Sequence, residues 1–148
     1  MKLKVVDEKG HPTNEPYILK LPGWTEERYY KEAPTEGKCE FVRGELIMFA
    51  PMTREHSEIV GFLNSLLGMY CDAKKLGLVL VGPTIRLKPG VNREPDICFI
   101  PKEKEPQAKG IIEVVPSFII EVSYTTQRED LGEKALDCQL PRPEGRSL

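Results

Sequence analysis

A chain of 148 residues, 40% apolar and 30% charged, has the size and make-up of a single globular domain, able to bury a sizeable core and too apolar to be disordered. Its formal net charge of −2 argues against a protein that coats nucleic acid over its whole surface, while leaving room for a local basic groove. The opening "MKLKVVDEKG" lacks the apolar core of a signal peptide and no apolar run is long enough to span a bilayer, so a cytoplasmic, non-membrane protein is expected.

Residues 1–23 are polar and proline-rich, with Pro12, Pro16 and Pro22, and read as an N-terminal arm. Thr25 followed by Glu26, Glu27 and Arg28 is a cap and first turn, predicting a short helix to Glu32. "CEFVRGELIMFA" alternates on either side of Arg43-Gly44, the signature of a hairpin. From Thr53 to Lys75, Ile59, Phe62, Leu63, Leu66, Leu67 and Tyr70 recur at helical spacing and predict a long amphipathic helix packed on a sheet. "LVLV", "TIRL", "EPDICFI" and "SFIIEV" read as strands, "KPGVN" as a turn, and "KEKEPQAKG" as a charged loop or poor helix. "REDLGEKALDCQ" reads as a helix, and residues 139–148 as a turn-rich, irregular tail. The order of elements predicts an α/β fold, a mixed β-sheet flanked by helices, with an N-terminal helix and hairpin.

Cys39, Cys71, Cys98 and Cys138 form no C-x-x-C clip, and with only His11 and His56 beside them they read as buried free thiols rather than a zinc site.

Two strands carry a carboxylate that interrupts an apolar pattern. In "EPDICFI", Asp96 shares a face with Cys98 and Ile100; in "SFIIEVS", Glu121 shares one with Ile119. Read singly, each fits a half-exposed strand end bonded to loop amides. Read as a pair on separate core strands, they point to a divalent-cation site, and hard oxygen ligands suit magnesium or manganese. Arg86, Lys88, Arg93, Lys74 and Lys75 are candidate phosphate contacts, equally consistent with a charged surface.

"PD" at Pro95-Asp96 with an acid at Glu121 resembles the PD-(D/E)XK nuclease pattern. More widely, "KCEFVRGELIMFAPMTREHSEIVGFLNSLL", "REPDICFI" and "SFIIEVSYTTQREDLGEK" resemble, in that order, the Uma-two family of restriction-endonuclease-like proteins. The resemblance runs from about Trp24 to Asp137 and implies a restriction-endonuclease-like domain over residues 24–138. It also implies a chain cut short, since family members continue with more helix and strand where this one has "QLPRPEGRSL". A strand edge left bare would invite a homodimer.

Ser123 stands where the nuclease pattern wants lysine; the resemblance gives that role to Lys134, on the following helix. It also marks Glu45 as a further ligand to metal or water, and His56 as a residue near the site or a phosphate, although Glu45 equally fits a solvent-facing strand position and His56 a helix start. Ser123, Thr125, Thr126 and Asp130 match the polar stretch that follows the acid; Asp130 fits either a partner that orients Lys134 at i,i+4 or a plain first-turn position of the helix. The implied mechanism has Asp96, Glu121 and the Val122 carbonyl hold Mg2+ or Mn2+, while Lys134 positions water for cleavage of a phosphodiester in nucleic acid, DNA first. The rivals are a catalytically inactive nuclease-fold binding or structural module and a metal-dependent hydrolase of small phosphoesters.

Overall fold

Ile18–Pro22 form a strand, β1, at one edge of a sheet, so the N-terminal arm expected over residues 1–23 gives way to regular structure before Pro22. An edge tolerates the missing N–H of Pro22. In the computed structural model, which describes residues 4–12, 17–108 and 110–123, β1 leads to helix α1 (Glu26–Glu32). Thr25 caps α1 by accepting from the Arg28 N–H at 3.1 Å. Arg43 and Gly44 then take φ of 49° and 87°, the two-residue turn whose twist suits a hairpin. It joins β2 (Cys39–Val42) to β3 (Glu45–Phe49) as expected.

Helix α2 (Arg54–Lys74) begins at the Thr53 cap and ends at Lys75, which is left-handed with φ of 53°. It is followed by β4 (Gly77–Val81), β5 (Ile85–Lys88), β6 (Val91–Arg93) and β7 (Ile97–Pro101). After a short 3-10 helix at Lys102–Gln107 comes β8 (Phe118–Ile120). Gly77 has φ of 151°, and a Cβ there would lie 2.1 Å from the Ile100 carbonyl oxygen, so only glycine lets β4 approach β7 this closely.

The described strands form a five-stranded sheet, β1-β3-β2-β6-β5, and a three-stranded sheet, β4-β7-β8. Their pairings are antiparallel; the parallel contact is an isolated bridge between Ile85 and Ile112. "KPGVN", expected as a turn throughout, supplies β6 as well, because Asn92 finds partners: it donates to Glu26 Oε1 at 2.8 Å and accepts from the Tyr30 hydroxyl at 2.6 Å. Arg86 grips the same Glu26 carboxylate, at 2.8 and 3.2 Å, tying α1 to β5.

Trp24, Tyr29, Cys39, Phe41 and Leu46 make one apolar core, between α1 and the larger sheet. Ile85, Cys98, Ile100 and Ile112 make the other, with Leu78, Leu80 and Ile119 packed against it. Because Ile85 belongs to the larger sheet and Cys98 and Ile100 to the smaller, this second core joins the two.

The amphipathic reading of α2 needs correction. Val60 and Cys71 are its buried residues and Leu63 and Leu67 are half-buried, whereas Ile59, Phe62, Leu66 and Tyr70 are exposed among the described residues. Two apolar rows run along this helix, and only one faces β4. Among the described residues no helix is long and apolar enough to cross a membrane.

Candidate active site

The antiparallel register of β7 and β8 matches Ile97 with Ile120 and Cys98 with Ile119. One more step along that register sets Asp96 opposite Glu121. Strand alternation puts the acids on the face of Cys98 and Ile119, which packs in the second core. Two like charges facing each other at the rim of an apolar layer are unfavourable unless a cation or donors compensate.

The compensation is specific. Asp96 is only 6% exposed. Its main-chain carbonyl accepts from the Gly82 N–H at 3.1 Å, which fixes the backbone. Its Oδ2 accepts from the Val122 N–H at 2.7 Å and lies 3.2 Å from His56 Nε2. His56 is in the first turn of α2, where its N–H bonds the Thr53 cap, so the electropositive end of that helix comes to the carboxylate. The other imidazole nitrogen, Nδ1, is buried with no hydrogen-bond partner among the described residues. Lys38 Nζ lies 3.5 Å from Asp96 Oδ1 and 3.5 Å from Glu121 Oε2, bridging the pair.

Lys38 comes from the hairpin. Its carbonyl accepts from the Phe49 N–H at 3.1 Å, and its ammonium lies 5.0 Å from the centre of the Phe49 ring. The hairpin is clamped to the strand that leads into Asp96: Glu40, wholly buried, accepts from Arg93 at 2.9 Å and from the Glu94 N–H at 2.9 Å. Glu94 in turn accepts from the Cys39 N–H at 3.4 Å and the Thr84 hydroxyl at 3.3 Å. Burial pushes the Glu94 carboxyl above its ordinary value, against the lowering effect of the Cys39 N–H. A cleft of about 470 Å3 opens here, lined by Lys38, Glu94 and Asp96 together with Met52, Ser57 and Val60, among others.

Among the described residues no three His, Cys, Asp or Glu side chains gather closely enough to hold a metal by themselves. Asp96 and Glu121 nonetheless suit a hard divalent cation: the Lys38 ammonium marks the position between them where positive charge is favoured. Magnesium binds through one or two carboxylates and keeps several waters, so it needs no third side chain.

Over residues 26–144 the sequence matches Uma2, a family described as putative restriction endonuclease. The chain belongs to the Uma2 family. The crystal structure of a putative nuclease belonging to DUF820 from Anabaena variabilis is similar to it in fold, with a TM-score of 0.67 and 19% identity, covering 78% of this chain and 67% of that one. The expected nuclease-like α/β class therefore stands. No curated protein matches the chain.

Of the residues singled out from the sequence, the fold of this Uma2 chain brings together Asp96, Glu121, Val122 and His56. Val122 enters through its N–H; the expected ligand was its carbonyl. Glu45 is not part of the gathering: it starts β3 beside the hairpin turn, opposite Val42 and Pro22, whereas Lys38 sits by Phe49 at the hairpin's other end. Lys134, Thr125, Thr126 and Asp130 lie outside the described residues, as does Cys138. Cys39, Cys71 and Cys98 are buried free thiols. Arg93 and Arg86 do not serve as free phosphate contacts, because Arg93 is buried against Glu40 and Arg86 is held by Glu26 and Glu113; Lys74, Lys75 and Lys88 are exposed. Sequence reasoning missed Lys38, Glu40 and Glu94. A carboxylate amid "CEFV" was a legible sign for Glu40, of the kind that marked Asp96; a lysine just before a strand carries no such sign.

Proposed function

We propose that this Uma2 chain hydrolyses phosphodiester bonds of nucleic acid, DNA first, aided by Mg2+ or Mn2+ held by Asp96, Glu121 and the Val122 carbonyl. The observation that carries this reading is the facing of Asp96 and Glu121 across adjacent strands, with an ammonium between them. When bound, such an ion acidifies a coordinated water and neutralises charge on the phosphodiester. His56 and the Val122 N–H share Asp96 Oδ2 and so fix the rotation of the carboxylate, which keeps Oδ1 turned toward Lys38. Lys134 positions the attacking water or steadies the negative charge growing on the phosphoryl oxygens. In-line attack by water forms one P–O bond as the bond to the leaving sugar oxygen breaks, and that oxygen takes a proton from solvent and departs as a hydroxyl.

Cleavage of supercoiled plasmid and of labelled DNA and RNA oligonucleotides, with magnesium, manganese or chelator, tests this. Metal-dependent cleavage that Asp96→Ala abolishes is expected. Equal cleavage by clean Asp96→Ala protein contradicts the mechanism. A panel of small phosphoesters, run alongside, separates a nuclease from a small-substrate hydrolase.

A second reading is a non-catalytic nuclease-fold module. It is favoured by Ser123, which stands where the nuclease pattern wants lysine, and by Lys38, whose ammonium supplies positive charge between the acids. Such a module is expected to melt at the same temperature with manganese or with chelator.

A further inference from the structure

Lys38 reaches the acids from a different sheet than the strands that carry them, and it engages both at the same distance, 3.5 Å. We propose that Lys38 is a resident counter-ion that competes with the divalent metal for Asp96 and Glu121 and, once displaced, grips the phosphate of the substrate. The proposal rests on the nuclease reading and goes beyond it by assigning a residue and an order of events.

The geometry sets the two cations in competition, because Lys38 lies 3.5 Å from one oxygen of each acid. Asp96 Oδ2 is engaged by Val122 and His56, and Oδ1 faces Lys38. Asp96 and Glu121 would hold a magnesium ion through their oxygens, and its charge would then repel the ammonium that lies 3.5 Å from both acids. The Lys38 side chain is 19% exposed and the two acids are less exposed still, at 6% and 15%. Solvent therefore screens the repulsion between the two cations only in part.

The displaced ammonium has a place to go. The backbone of Lys38 is pinned by the Phe49 N–H, so the side chain alone swings. The Phe49 ring lies 5.0 Å from the ammonium, and Lys38 also lines the cleft of about 470 Å3, which gives the swung side chain room. There the ammonium meets whatever phosphate is drawn to the metal. Ser123 leaves the segment after Glu121 without a lysine two residues on, and among the described residues the hairpin brings Lys38 to the two acids.

Manganese is titrated by calorimetry into the wild-type protein, Lys38→Met, which keeps an apolar stem of similar length, and Lys38→Arg, with folding checked by circular dichroism. Lys38→Met is expected to bind manganese about tenfold more tightly, the scale of one lost partly buried charge partner, and to cleave more slowly. Lys38→Arg is expected to stay near the wild-type affinity. Melting supplies a second readout: without metal Lys38→Met melts lower than wild type, and its rise with manganese is larger. A purely structural lysine gives the opposite, with weaker metal binding in Lys38→Met. Should Lys38→Met fail to fold, Lys38→Gln takes its place. Equal or weaker manganese binding in the neutral variant overturns the role of Lys38 and leaves the nuclease reading intact. Absence of binding in all the folded proteins, wild type included, brings down the nuclease reading and this inference together.

Discussion

His56 Nε2 meets Asp96 Oδ2 at 3.2 Å, so the first turn of α2 and the start of β7 share one carboxylate. The Val122 N–H on the same oxygen leaves that carboxylate little freedom to rotate. Residues that orient a ligand in this way typically contribute about 10–100-fold to metal affinity or activity. His56→Ala is therefore expected to lower manganese affinity or kcat/KM by about that factor. Calorimetry and a cleavage assay measure it, and unchanged values in both speak against an orienting role.

The Glu40–Arg93 pair tests how the site is braced. Both side chains are at most 1% exposed. Removing one partner leaves a buried, uncompensated charge, which costs about 3–5 kcal/mol, whereas replacing both with apolar residues of similar volume is often near neutral. Urea unfolding of Glu40→Ala is expected to show a loss in that range, and the double variant Glu40→Met, Arg93→Met to recover most of it. A Glu40→Ala protein as stable as wild type contradicts the bracing role.

Two carboxylates set opposing trends with pH. The hydrogen bonds from Arg86 hold Glu26 down at about 2, against an ordinary value of 4.5. Its stabilising contribution is complete above pH 4.5 and is lost as pH falls toward 2. Glu94 is pushed upward by burial, so its charged form opposes folding at neutral pH, and the protein gains stability from this group as acid protonates it. Melting curves across pH should show Glu26→Gln flattening the acid-side loss. Glu94→Gln should raise stability at neutral pH. A Glu94→Gln protein that is less stable at neutral pH contradicts this assignment.

Burial also raises the thiols of Cys39, to about 12, and Cys98, to about 11. Thiolate is the reactive form, so both are expected to resist alkylation at pH 8 in the folded protein and to label promptly in denaturant. Mass spectrometry of iodoacetamide-treated protein distinguishes the two states, and rapid native labelling at Cys98 contradicts the packing described for the second core.

What the sequence reveals here follows from physics that acts locally. Asp96 and Glu121 stand out because each breaks an apolar face, and strand periodicity says which face. The hairpin is legible from Arg43-Gly44, α1 from its Thr25 cap and α2 from the helical spacing of its apolar residues. β1 is hidden by Pro22, which reads as a breaker unless the strand is known to lie at an edge. β6 is hidden because Asn92 looks like turn chemistry until Glu26 and Tyr30 are found beside it. On α2, periodicity yields two apolar rows and cannot say which one meets β4. Lys38 is the hardest case: nothing near it in sequence separates it from a solvated lysine, and its role depends on acids 58 and 83 residues away.

Asp96 and Glu121 are proposed to bind a divalent cation together. The most direct measurement is a calorimetric titration of manganese and magnesium into the purified protein, beside the double variant Asp96→Asn, Glu121→Gln. Saturable binding by the wild-type protein that the double variant loses is the expected result. A folded wild-type protein that binds neither ion contradicts the claim, and the inert nuclease-fold module then becomes the better description.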